Sequence, residues 1–300
     1  MNDLRSRIAG APISWGVCEV PGWGHQLAPE RVLTEMAGAG LAATELGPDG
    51  FLPADPAQAA ELLASHDLSA VGGFVPVVLF DEERDPLPEV TRALRHFTAA
   101  GATSLVLAAA SGLEGYDARP VLDERAWKTL LANLDRLRDA AGEQGIEATL
   151  HPHVGTMVER RDEVERVLAG SSIGLTLDTG HLLVGGTDPV ALTLAASDRI
   201  RHTHLKDVDQ DVAERVRQGE LTYHQAVVAG LYRPLGQGDV DIAAIVTALE
   251  RAGYQGWYVM EQDTVLPEEA GEPAPGAGPL ADVLASLAYL DDVSRREVGS

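Results

Sequence analysis

Apolar positions alternate between two rhythms along the chain. Short runs rich in aliphatic and β-branched residues give way to stretches of ten or more residues with helical spacing, and Gly, Asp or Pro stands between them. Eight runs read as strands: 8–15, 42–46, 69–79 with a bend expected at Pro76, 104–109, 146–151, 173–178, 200–205 and 257–261. Amphipathic helices are expected over 29–39, 123–144, 161–168, 189–196 and 241–252. The first opens on Pro29 and stops at Gly40. Those at 123–144 and 241–252 stop at Gly145 and Gly253. Strands that alternate with helices imply a parallel sheet, and eight such units favour an α/β fold of the closed (β/α)₈ TIM-barrel type over residues 1–300. No Gly-x-Gly-x-x-Gly turn follows a strand, so the usual dinucleotide fingerprint is missing.

Two segments break the rhythm. Residues 209–238 form a long insertion after the seventh strand, with a charged helical piece followed by Tyr232 to Gly238. Its position after a strand places it at the barrel mouth, as a lid or a substrate wall. Residues 268–278 are rich in Pro, Gly, Ala and Glu and read as a flexible link. A last helix, 279–296, is expected to pack across the barrel or against a second copy in a homodimer.

Composition narrows the function. The formal charge is −23 and the isoelectric point near 4.6. A field of that sign disfavours nucleic acid and anionic membranes, but tolerates a neutral substrate and a cation. No apolar run is long enough to span a bilayer, and the polar start does not read as a signal peptide. A single cysteine, Cys18, excludes an intrachain disulfide and fits a cytoplasmic location.

Histidine placement carries most of the chemistry. Of nine histidines, five (His151, His153, His181, His202 and His204) fall at or just beyond predicted strand ends. Asp178, Lys206, Asp207, Glu261 and Asp263 share those ends. In a barrel the C-terminal ends of different strands converge on one site. His151, Asp178, His204 and Glu261 form the expected ligand set for one divalent ion. Mixed nitrogen and oxygen donors suit Mn²⁺ or Co²⁺, with Zn²⁺, Fe²⁺ and Mg²⁺ also compatible. Period-2 alternation puts His202 beside His204 and His153 beside His151 on shared faces. Lower-ranked substrate contacts are Glu19, Glu45, Trp15, His202 and, from the insertion, Arg233.

The motifs Asp178-Thr179-Gly180-His181, His204-Leu205-Lys206-Asp207 and Gly256-Trp257-Tyr258-Val259-Met260-Glu261 resemble those of the xylose isomerase-like TIM barrels. Segments 11–16, 44–47, 151–156, 234–239 and 261–263 are most similar to the inosose dehydratase branch. The resemblance implies metal ligation by Asp178, His204 and Glu261. It also implies a departure, because the family's strand-five glutamate corresponds here to His151. Epimerases of the family move a proton between paired glutamates, so a histidine there makes a lyase more attractive. The expected reaction is metal-dependent dehydration of a cyclic polyol ketone such as scyllo-inosose. Glu261, His153, His181 and Lys206 are its candidate catalytic residues, and His151 and Glu261 are candidates for both base and ligand. Ketose isomerisation or epimerisation through the same enolate is the alternative. Apurinic-site cleavage is disfavoured by the charge, and polyol binding without turnover is a fourth reading.

Overall fold

The computed structural model describes residues 4–298. Its strands are β1 (Ile8–Gly10), β2 (Ala43–Thr44), β3 (Ser69–Ala70), β4 (Gly72–Val77), β5 (Ser104–Ala109), β6 (Glu147–Leu150), β7 (Gly174–Asp178), β8 (Ile200–Leu205), β9 (Asp207–Val208), β10 (Tyr232–Arg233) and β11 (Tyr258–Met260). Its α-helices are α1 (Pro29–Gly38), α2 (Pro56–Ser65), α3 (Leu87–Ala100), α4 (Glu124–Gly142), α5 (Arg161–Gly170), α6 (Thr179–Val184), α7 (Pro189–Ala196), α8 (Gln210–Arg217), α9 (Tyr223–Val228), α10 (Ile242–Arg251) and α11 (Pro279–Val298).

Nine strands form one parallel sheet in the order β3-β2-β1-β11-β8-β7-β6-β5-β4. Only Val71 separates its two ends, so β3 and β4 are two pieces of one barrel strand and the ring has eight. Val71 closes it: its N–H donates to Thr44 O, and its carbonyl accepts from Ser104 N. Gly72 is required at this seam, because a Cβ there would lie 2.3 Å from Ser104 O. The third strand therefore breaks at Val71 instead of bending at Pro76. Pro76 sits inside β4, which pairs only with β5 along its length, so its missing N–H disrupts no second ladder. The first strand is also shorter than the pattern suggests. The chain turns into a 3-10 helix at Pro12–Trp15 directly after β1.

The main core lies between strands and helices. Val32, Leu33 and Met36 of α1, Leu130, Leu134 and Leu137 of α4, and Ile245 and Leu249 of α10 are buried in it with strand residues. Helices α2 and α3 add Leu63, Leu94 and Phe97, in segments for which the pattern predicted no named element. A separate small cluster, Ala9, Ala11, Ala43, Val71 and Val259, occupies the barrel interior. Alternation places Glu45 and Glu261 on the same strand faces one step further up. Small residues at the base leave room for large polar side chains above them.

The insertion is ordered. β9 and β10 pair antiparallel at its base, and α8 and α9 lie between them. Asp207 fastens it: Oδ1 accepts from Val208 N and Val240 N, and Oδ2 from Gly236 N and Gly238 N. The link at 268–278 is also tied down. Arg31 donates to the carbonyls of Pro273 and Ala274, and Gly276 N donates to Glu35 Oε1. No helix among the described residues is long and apolar enough to cross a membrane.

Asp207 predicts a stability effect. Asp207→Asn replaces an accepting oxygen with a donor against two backbone N–H groups, and should cost roughly 2–4 kcal/mol. Urea unfolding of the two proteins side by side measures it. A change within error of zero would show that the insertion is held by other contacts.

Candidate active site

β6, β7, β8 and β11 bring the expected ligands together. Asp178 ends β7 and also caps α6, with Oδ1 accepting from Gly180 N at 2.9 Å and His181 N at 2.7 Å. Its other oxygen, Oδ2, lies 3.1 Å from His151 Nε2, 3.5 Å from His204 Nδ1 and 3.6 Å from Lys206 Nζ. Glu261 Oε2 is 2.6 Å from His204 Nδ1 and 3.6 Å from Lys206 Nζ. A second cross-strand lock aligns β7 with β8: Lys206 N donates to Thr179 Oγ1, whose hydroxyl donates to Lys206 O.

This donor set fits a divalent cation. His204 Nδ1 and Glu261 Oε2 are buried and close, yet neither has a hydrogen-bond partner of acceptable geometry. Two such atoms at this distance need positive charge beside them. Burial opposes the charge on His204, but Glu261 and Glu45 outweigh it and hold His204 well above its usual range, and a divalent ion bound by both atoms would replace that proton. Asp178, His204 and Glu261 have donor atoms within 4.8 Å of each other, and so do His151, Asp178 and His181. Charge points the same way. Asp178, Glu261 and Asp263 are three largely buried carboxylates around one lysine, Lys206, and a fourth, Glu45, lies against His202 and His204. Buried charges persist only when they are compensated.

The electrostatics sort the remaining groups. Burial opposes the charge on Asp178, but Lys206 and His181 outweigh it and hold the carboxyl well below its usual range. Burial likewise opposes the charge on Lys206, but Asp178, Asp263 and Glu261 keep its ammonium protonated. His151 is pushed down to about 4, chiefly by burial, and is therefore a neutral imidazole able to ligate. Burial, then Lys206, also lowers His153. His153 Nδ1 is 2.7 Å from the carbonyl of Val154, so it carries the proton and Nε2 is left with its lone pair.

A cavity of about 820 Å³ opens onto this cluster, with His151, His153, Lys206, Glu261, Glu45 and Glu19 in its wall. Asp178 and His204 lie beneath it. His181 stacks on His153 with ring centroids 3.7 Å apart and sits 3.2 Å from Lys206 Nζ, behind the wall. His202 is a layer deeper, on Glu45. Two proposed substrate contacts are elsewhere. Trp15 is fully buried with its indole N–H on Glu35, because the early turn at Pro12 directs it toward α1. Arg233 is exposed and paired with Asp209.

Asp263, placed at the strand ends from the sequence, has neighbours that the sequence did not single out. Asp263 accepts from Lys206 Nζ and, on its other oxygen, from Tyr223 OH at 2.6 Å. Tyr223 also meets Tyr232 OH at 2.8 Å, and Lys206 lies over the Tyr232 ring. The insertion thus reaches the cluster from behind, through two tyrosines. Tyr116 OH donates to Glu19 at the rim. The Thr222 capping box marks the start of α9 in sequence, but nothing local indicates that Tyr223 reaches Asp263.

The family profile described as xylose isomerase-like TIM barrel matches residues 33–287. An inosose dehydratase of Geobacillus thermodenitrificans (strain NG80-2) is 31% identical over 272 residues, which cover 87% of this chain and 91% of that protein. Rhizopine catabolism protein MocC of Rhizobium meliloti is 36% identical over 274 residues, covering 87% of this chain and 83% of its own. Among solved structures, the IOLI protein with a binding zinc atom aligns with a TM-score of 0.69 at 17% identity, covering 96% of this chain and 97% of that one. An L-ribulose 3-epimerase aligns with a TM-score of 0.70 at 15% identity, covering 98% and 97%. At such identities the structural likeness speaks for the fold alone.

The site predicts cation-linked stability. Mn²⁺ at a hundred times its Kd should stabilise the protein by about 2.7 kcal/mol. Asp178→Asn should lose most of that gain in thermal unfolding with and without EDTA. An equal gain in the variant would place the ion elsewhere.

Proposed function

This chain belongs to the xylose isomerase-like TIM barrel family, and on that footing we propose that it is a metal-dependent dehydratase of a cyclic polyol ketone such as scyllo-inosose. The observation that carries the proposal is the cavity wall itself. It brings a neutral imidazole with a free Nε2 and a charged lysine together with His151 and Glu261, and the other two donors, Asp178 and His204, lie directly beneath. The inosose dehydratases among its relatives, at about 30% identity over most of the chain, support the substrate class.

His151, Asp178, His204 and Glu261 would hold the ion, with Mn²⁺ or Co²⁺ preferred. When bound, a divalent ion supplies Lewis-acid polarisation of the ketone oxygen, which lowers the cost of an enolate. His153 Nε2 takes the proton from the carbon next to the carbonyl, since its other nitrogen is committed to Val154 O. The Lys206 ammonium, anchored by Asp263, donates to the oxygen on which negative charge develops. The β C–O bond then breaks, and the proton carried by His153 leaves with the hydroxyl as water. The enol that remains tautomerises to a diketone. His181 packs beneath His153 and fixes its ring plane.

Ultraviolet absorbance of the dione tests the proposal, with scyllo-inosose, Mn²⁺ or Co²⁺ and a chelated control. A metal-dependent rise is expected. His153→Gln should slow it by roughly 10²–10⁴-fold without weakening ion binding. No rise from protein with a stoichiometric bound ion would overturn dehydration of this ketone. The same sample would then be followed by NMR with a panel of ketoses for epimerisation.

A further inference from the structure

Behind the candidate ligand His204 on β8 lie two buried groups that the proposed reaction leaves unused: Glu45, just past β2, and His202 on β8. Glu45 Oε1 is 2.8 Å from His202 Nε2 and 3.0 Å from His204 Nε2. All three side chains are at most 5% exposed. An ionised carboxylate only accepts, so at these distances each imidazole donates its Nε2–H. That assignment fixes the tautomer of His204. In the neutral imidazole the proton is then on Nε2 and the lone pair on Nδ1. Burial opposes the charge on His204, but Glu261 and Glu45 hold it well above its usual range, so a cation taken up at Nδ1 would replace a proton there. Nδ1 is the atom that faces Glu261 Oε2 and Asp178 Oδ2 and has no hydrogen-bond partner.

We propose that Glu45 is a positioning residue for a cation site: it orients His204 through Nε2–H so that Nδ1 is presented as a ligand. The inference rests on the metal reading above. It moves Glu45 from the substrate to the support of a ligand. A carboxylate behind a ligating imidazole fixes the ring and raises its basicity. His202 takes the second N–H contact on the same oxygen and completes the clamp from below. The competing reading is a second cation held by Glu45, His202 and His204, whose donor atoms also lie within 4.8 Å of one another. It would require His204 to give both ring nitrogens to cations and to lose both of its protons.

The test is a cobalt titration of the wild type, Glu45→Gln and Glu45→Ala, read by calorimetry and by the visible absorption of bound Co²⁺. The wild type should take up one ion per chain. Glu45→Ala should weaken binding by roughly 10–100-fold and alter the Co²⁺ spectrum. Glu45→Gln keeps a carbonyl oxygen that accepts the same N–H, so it should recover part of the affinity and stands in should the alanine variant fail to fold. Wild-type affinity in both variants would overturn the proposal. So would a fall from two ions to one, because Glu45 would then be a ligand itself. A wild-type protein that takes up no cobalt overturns the metal reading first, and this inference with it.

Discussion

The carboxylate of Asp178 divides its two oxygens between the backbone and the chemistry. Oδ1 receives the first N–H groups of α6, which fixes the strand-to-helix turn after β7. Oδ2 is then held still among His151, His204 and Lys206. A helix N-terminus favours negative charge near it, so the cap also keeps the acid ionised in a buried position. The turn, the helix and the donor set depend on one side chain. Glutamate would carry its oxygens further out and could not serve both ends at these distances.

Around that acid the site is built by compensation. Lys206 is buried because Asp178, Glu261 and Asp263 surround it, and Asp263 is held in turn by Tyr223. His151 stands where the family's resemblance leads one to expect a glutamate. In the proposed ligand set an uncharged imidazole there would leave two carboxylates to face a divalent ion instead of three. Lys206 Nζ lies 3.6 Å from both Asp178 Oδ2 and Glu261 Oε2.

Much of the fold was legible in the sequence, for physical reasons. β5 lies where the apolar pattern puts it, because a strand covered on both sides reads as a continuous aliphatic run. β8, Ile-Arg-His-Thr-His-Leu, lies where its β-branched and histidine residues between Arg199 and Lys206 put it. The strand ends carrying His151, Asp178, His204 and Glu261 were legible because barrel topology turns strand order into spatial convergence. Long-range pairings were not. Trp15 looked like a cavity wall only while the first strand was read as eight residues; the turn at Pro12 sends its indole to Glu35. The partnership of Glu45 with two histidines joins residues 157 and 159 positions apart, and no local pattern encodes it. Tyr223 and Asp263 meet across 40 positions for the same reason.

The closure of the ring has a consequence for synthesis. β11 pairs with β1 on one side and β8 on the other. It is the last strand to be made, and Glu261 follows it directly. A nascent chain emerging in order can stack its earlier β/α units, but the gap between β1 and β8 stays open until residues 258–260 arrive. His151, Asp178 and His204 are already present by then without their fourth companion. Completion of the ring and completion of the donor set are therefore one event, and a chain truncated before that strand would have neither.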